Sequence, residues 1–400
     1  MPSPTPAVLE GIRVLDFGRY VAGPYCATLL GYLGADVIRI EKRGGGEDRY
    51  IAPVAAGGEG GVFFHTACNK RSLTLDLAKP QAREVIRRLV ASADVVIANL
   101  PPAQLIAAGI DYLALRAIRH DIILASQSAF GDHGPYADRG GFDGVGQAMS
   151  GAMYISGTPD APAKAAAPYV DYATAVLSAF GTLAALIHRQ RTGAGQCVQA
   201  TLLGTALAVF GSHLVEQSVT GIDRIGSGNR VQTSAPSDVF ATQDGHVLTH
   251  IVGNGLFRRW AQLMGDETHW LTDPRYGDDA ARGAHSEALL ARTRQWCAAR
   301  TTRAAIEQLE AAGIPAGPVL RPREALEDPQ VAAMEMLATV ADFPGLARPA
   351  RVPDLPIRFS HTPGGVRSRP PLLGEHTETI LASLSFSVGE IAALRAAAVI

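Results

Sequence analysis

The sequence is poor in cysteine, and its four, Cys26, Cys68, Cys197 and Cys297, fall without any CxxC spacing. That speaks against a disulfide framework or a zinc site and leaves reduced, structural thiols of a cytoplasmic protein as the expectation. Excess charge is lacking too: 36 basic side chains meet 38 acidic ones, for a formal net charge of −2. Such a balance gives no general attraction to nucleic acid or to an anionic membrane. Apolar runs are broken by Gly, Thr, His or Arg before they reach a bilayer's length, so no spanning segment is expected. The Met-Pro-Ser-Pro-Thr-Pro start has no basic region followed by an apolar core, so no export signal is expected either. Glycines are plentiful, 42 of them, yet the G-x-G-x-x-G of a dinucleotide turn is missing, as are the lysine and hydroxyl of a Walker loop. Nicotinamide, flavin and P-loop nucleotide sites are therefore not expected.

What is present begins with alternation. Residues 12–17 read as an apolar strand, 25–33 as a helix closed by Gly34, and 36–41 (Asp-Val-Ile-Arg-Ile-Glu) as a second strand. Further strands are expected at 69–77, 94–99 and 121–126, with a helix from Pro80 to about Ser92. Strand and helix in turn over 126 residues point to an open, parallel α/β sheet, in which ligands bind beyond the carboxyl ends of the strands. Those ends are Phe17–Val21, Glu41–Arg43, Asn99 and Ser126–Phe130. A glycine-rich loop from Phe130 to Asp143 precedes a helix whose N-cap is expected to be Asp143. Texture changes near 220 and 340 mark a smaller α+β domain, which contains a hairpin turning at Asp244-Gly245.

The most distinctive stretch runs from Pro168 to Gln196. It reads as one helix, with Asp171 at the N-cap, His188, Arg189 and Arg191 in the last turn, and Gly193 as the stop. Its interior is apolar nearly all round, so the helix is expected to be buried. Asp171 is open to two readings, a plain cap or a pre-positioned carboxylate nucleophile. The helix dipole and free N–H groups are expected to keep it ionised.

In their order along the chain, several stretches resemble the family III CoA-transferases, the formyl-CoA and carnitine CoA-transferase family. They are Leu9–Phe17, Ala22–Pro24, Leu33–Glu41, Asn69–Leu73, Val170-Asp171, Arg191–Gln196, Gly313–Pro318 and Pro371–His376. The resemblance implies a Rossmann-like large domain built from residues 1–215 and 341–400, with linker and small α+β domain at 216–340. It further implies an interlocked homodimer. Asp171 then falls on the catalytic aspartate, which would carry CoA between an acyl-CoA and a carboxylic acid through an anhydride and an aspartyl thioester. Coenzyme A enters as substrate, and no metal, nicotinamide or flavin is called for.

The CoA site implied by the family comprises Tyr20, Val21, Lys42, Arg43, Leu75, Leu77, Asn99 and Leu100. Lys42 is the charge partner for a phosphate. An arginine that many relatives carry after the Asn99 position is absent here, where the chain reads Pro101–Gly109. Phe142, Asp143 and Arg139 are the candidate substrate contacts. Lys164, Arg224 and Arg230, with Arg139, could set a cation near a dicarboxylic acceptor such as a succinyl-CoA exchange partner. A racemase of the same scaffold would need a histidine where this chain has Phe142, a group that carries no proton; His133 lies nine residues earlier in the same loop. A catalytically silent CoA-binding subunit is the remaining alternative.

Overall fold

The computed structural model describes residues 6–400; the amino-terminal residues behind the export-signal expectation lie largely outside that range. Six strands form one parallel sheet: β1 (Arg13–Asp16), β2 (Asp36–Glu41), β3 (Lys70–Thr74), β4 (Val95–Ala98), β5 (Ile123–Ser128) and β6 (Cys197–Thr201). Their spatial order is β3-β2-β1-β4-β5-β6, so the direction of progress reverses between β1 and β4. The register is continuous across that reversal, with Leu15 of β1 opposite Ile38 on one side and Val96 on the other.

Period-two alternation gives each strand two apolar faces. Leu15, Ile38, Leu73, Val96 and Leu124 pack on one side against Val85, Ile86 and Leu89 of the helix Ala82–Ala91. The chain's last residues close that same side with Ile380, Leu384, Leu394 and Val399. Val14, Val37, Val95, Ile97 and Ile123 point the other way, against Leu30 of the helix Ala22–Tyr32 and Ala175, Ala179 and Leu186 of the helix Tyr169–Thr192. Gly18 and Gly23 belong to this packing: a Cβ on Gly18 would sit 2.7 Å from Pro24, and one on Gly23 3.0 Å from Gly18.

Residues 6–152, 165–221 and 333–400 make up this unit. The second comprises 153–164 and 222–332. It holds an antiparallel sheet of Ser237–Ala241, His246–His250 and Ala316–Pro318 beneath helices that bury Trp260, Leu289, Trp296 and Leu309.

The Tyr169–Thr192 helix departs from expectation in two ways. It is not buried all round. Its inward stripe is small (Thr174, Ala175, Ser178, Ala179, Thr182, Ala185), which lets it sit close to the sheet, whereas Val176, Leu177, Ile187 and Phe180 face outward, Phe180 with 71% of its surface exposed. By length and composition it is also apolar enough to cross a membrane, because serine, threonine and glycine interrupt a run without making it polar. Gly193 stops it as expected, with φ +75°.

Candidate active site

The first turn of this long helix is built differently from the sequence reading. Its N-cap is Pro168, which has no side-chain donor or acceptor, and Asp171 sits three residues into the helix. The cap comes from another element. Asp143, expected to cap its own helix, is instead the first residue of Asp143–Met149. Its carboxylate Oδ1 accepts from the backbone N–H groups of Val170 (2.8 Å) and Asp171 (3.2 Å). The other oxygen accepts from Gln147 Nε2 at 2.5 Å, and Gln147 Oε1 accepts from Ala165 N at 2.9 Å. Asp143 is 5% exposed and is committed to these partners. It holds the turn.

Asp171 is thereby relieved of capping. Among the described residues its carboxylate has no hydrogen-bond or ion-pair partner. Burial, and then the Asp143 charge, push its pKa up to about 7. The expectation that the helix end keeps it firmly ionised is therefore corrected: Asp143 has taken the free N–H groups, and no cation compensates the lost water. Around this turn lie aromatic groups that the sequence did not single out. His65 Nδ1 is 2.8 Å from the Tyr172 hydroxyl, and Tyr25 meets the Tyr172 ring edge-on at 4.9 Å. They come from the helices Gly61–Thr66 and Ala22–Tyr32, and no spacing in the sequence links them.

At the carboxyl ends of β1 and β4 the loops are stitched together by Asn99. Its Oδ1 accepts from Arg19 N at 2.7 Å and its Nδ2 donates to Arg19 O at 2.7 Å. Next to this lies a cavity of about 160 Å³ lined by Phe17, Arg19, Lys42, Leu75, Leu77 and Leu100, among others. Of the residues expected to hold CoA, four (Lys42, Leu75, Leu77, Leu100) face this space. Asn99 and Val21 are not among its lining residues: Asn99 holds the Arg19 loop, and Val21 is buried at the head of the first helix. Tyr20, in a left-handed backbone conformation (φ +61°), puts its ring edge-on to Phe142 at 5.2 Å. Arg43 lines a separate pocket with Thr74, Gly374 and Arg395.

Arg39, Glu41 and Asp48 on the cavity wall belong to a buried ion cluster that continues behind it. Lys70 Nζ meets Asp16 at 2.7 Å, Arg39 meets Asp48 at 2.6 Å, and Arg49 meets Glu41 at 2.6 Å. Burial alone would raise the Glu41 pKa, but Arg39, Arg49 and the Ser72 hydroxyl hold it down to about 2.

The cations proposed for an acceptor are divided between the units. Arg139 lies over the Tyr136 ring, 4.2 Å from its centroid, in the larger one. Lys164, Arg224 and Arg230 belong to the second, where Arg224 and Arg230 line an open cleft with Arg275. Phe142 is 60% exposed, and His133 is turned to solvent beside Asp132.

The sequence and the fold have known relatives. The family model for CoA-transferase family III matches residues 9–377. A succinyl-CoA–D-citramalate CoA-transferase of Chloroflexus aurantiacus is 34% identical, covering 99% of this chain and 98% of its own. A succinate–glutarate CoA-transferase of Agrobacterium fabrum is 35% identical over 96% of this chain and 97% of its own. The crystal structure of a CAIB/BAIF family protein from Brucella suis superposes with a TM-score of 0.83 at 32% identity, covering 95% of this chain and all of that one. With a matching sheet, matching length and these relatives, the chain belongs to CoA-transferase family III and is a CoA-transferase.

Proposed function

We propose that the enzyme moves CoA from succinyl-CoA, or another small dicarboxylyl-CoA, to a carboxylic acid by covalent catalysis on Asp171. The observation that carries this reading is a half-buried carboxylate with no partner at the start of the longest helix, held there by a second acid that supplies the cap. The donor class is supported by the relatives, whose names specify succinyl-CoA with citramalate or mesaconate, or succinate with glutarate.

The ionised Asp171 oxygen attacks the thioester carbonyl; the C–S bond breaks, leaving a mixed anhydride and CoA thiolate. The thiolate then attacks the Asp171 carbonyl and releases the donor acid, which carries away one aspartate oxygen. The acceptor carboxylate attacks the resulting aspartyl thioester, and the returning thiolate takes the acceptor acyl group and frees Asp171. Each attack requires an ionised nucleophile and a dry site, because water would hydrolyse the anhydride. A pKa near 7 leaves enough carboxylate at neutral pH while making it more basic than an ordinary aspartate.

CoA is assigned to the cavity beyond β1 and β2, with Lys42 toward a phosphate, Leu75, Leu77 and Leu100 against apolar parts of the molecule, and Tyr20, Val21, Arg43 and Asn99 completing the family's set. Phe142 and Arg139 are the candidate contacts for the acid, and Asp143 is a positioning residue. Residues 1–215 and 341–400 act as the CoA-binding domain and 216–340 as linker and smaller domain, in a cytoplasmic, interlocked homodimer. The outward apolar face at Val176, Leu177, Phe180 and Ile187 supports a covering partner, since burying each such side chain is worth roughly 1.5–3 kcal/mol. Sedimentation that returns only monomer would remove that part of the reading. Racemase chemistry is disfavoured because Phe142 supplies no proton carrier. The test of the whole is mass spectrometry after succinyl-CoA and hydroxylamine. A hydroxamate on the Asp171 peptide is expected; an unmodified peptide during active turnover would reject it.

A further inference from the structure

We propose that Glu47 is the group a CoA phosphate has to displace, and that it sets the affinity of the cavity for the nucleotide end of the substrate. This rests on the reading of that cavity as the CoA site.

The buried ion cluster cannot attract a phosphate by net charge. Arg39, Arg49 and Lys70 are matched there by Asp16, Glu41 and Asp48, all of them buried. Asp76, also on the lining, turns its Oδ1 to the Ala78 N–H at 3.1 Å. The remaining cations are Arg19 and Lys42, whose side chains are 39% and 47% exposed. One acid holds both: Glu47 Oε2 lies 3.4 Å from Arg19 Nη1, and Glu47 Oε1 is in direct contact with Lys42 Nζ. Counting Glu47, five carboxylates balance five cations. Without it the site carries a positive surplus.

The local backbone suits an entering anion as well. Glu47 opens the short turn Glu47–Tyr50, whose Asp48 and Arg49 are tied into the buried cluster. The turn is anchored while the Glu47 carboxylate stays in solvent, so rotation of that one side chain is enough to release Arg19 and Lys42. A solvated pair of this kind is weak, and a phosphate of higher charge competes with it effectively.

The test is calorimetric titration of the full-length protein with CoA, 3′-dephospho-CoA and pantetheine, comparing wild type, Glu47→Gln and Lys42→Met. Glu47→Gln is expected to bind CoA about three- to fivefold more tightly at low salt, with the gain shrinking as salt rises and absent for pantetheine. A gain kept with 3′-dephospho-CoA assigns the displaced contact to the diphosphate, and a gain lost assigns it to the 3′-phosphate. If Lys42→Met weakens CoA binding while Glu47→Gln leaves it unchanged or weaker, Glu47 is not the competitor and the proposal is overturned alone. If Lys42→Met leaves CoA binding unchanged, the assignment of the cavity falls and takes this proposal with it.

Discussion

Glu41 is buried and Asp171 half-buried, yet the first is held down to a pKa of about 2 and the second pushed up to about 7. Burial acts in the same direction on each. What differs is company: Glu41 is met by Arg39, Arg49 and Ser72, whereas Asp171 has only another acid, Asp143, beside it. A buried carboxylate with cations is an architectural element, and one without them is a reactive group kept at a cost in stability. The two also respond to pH in opposite senses. Glu41 contributes stability above its unfolded pKa that is lost as pH falls toward about 2. For Asp171 the relative stability is full below its unfolded pKa and is lost as pH rises through about 7.

Asp171→Asn breaks the contrast most severely. Turnover should fall by at least about a thousandfold, as expected when a covalent nucleophile is removed. The melting temperature at pH 8 should rise, because an uncompensated buried charge has gone; an activity loss accompanied by lower stability would contradict the assignment. Removing a partner from the other region should do the reverse. Arg49→Met leaves Glu41 short of its bidentate partner and should cost about 3–5 kcal/mol in urea unfolding. An unchanged urea midpoint would mean that the cluster is not the structural element described. The finer change is Asp143→Asn, which keeps an acceptor for the Val170 and Asp171 N–H groups but removes the neighbouring charge. The wild-type rate should rise with pH through an inflection near 7, and this variant's inflection should move to lower pH. A fixed inflection would show that the Asp143 charge does not reach Asp171.

The sequence was most legible where structure is local. Asp36–Glu41 was readable as a strand from its β-branched Val37, Ile38 and Ile40, and Asp238–His250 as a hairpin from its Asp-Gly turn. β6 was not, because Cys197–Thr201 alternates weakly and is only half-buried. Asp143 was assigned to the nearest helix; its true partners lie 27 and 28 residues on, a pairing that spacing cannot reveal. The long helix was legible in extent but not in facing, since a run apolar on every side carries no period to say which side packs. Asp171 could be singled out from its place at a helix start and from the family resemblance. Its raised pKa depends on burial and on Asp143, and both are products of the folded chain.

The most direct measurement follows oxygen. If the acceptor acid is supplied with heavy oxygen in its carboxylate, the thiolate's final attack leaves one acceptor oxygen on the enzyme. The account predicts that heavy oxygen accumulates in the Asp171 side chain during turnover and nowhere else in the protein. Sustained CoA transfer with no label entering Asp171 would contradict it.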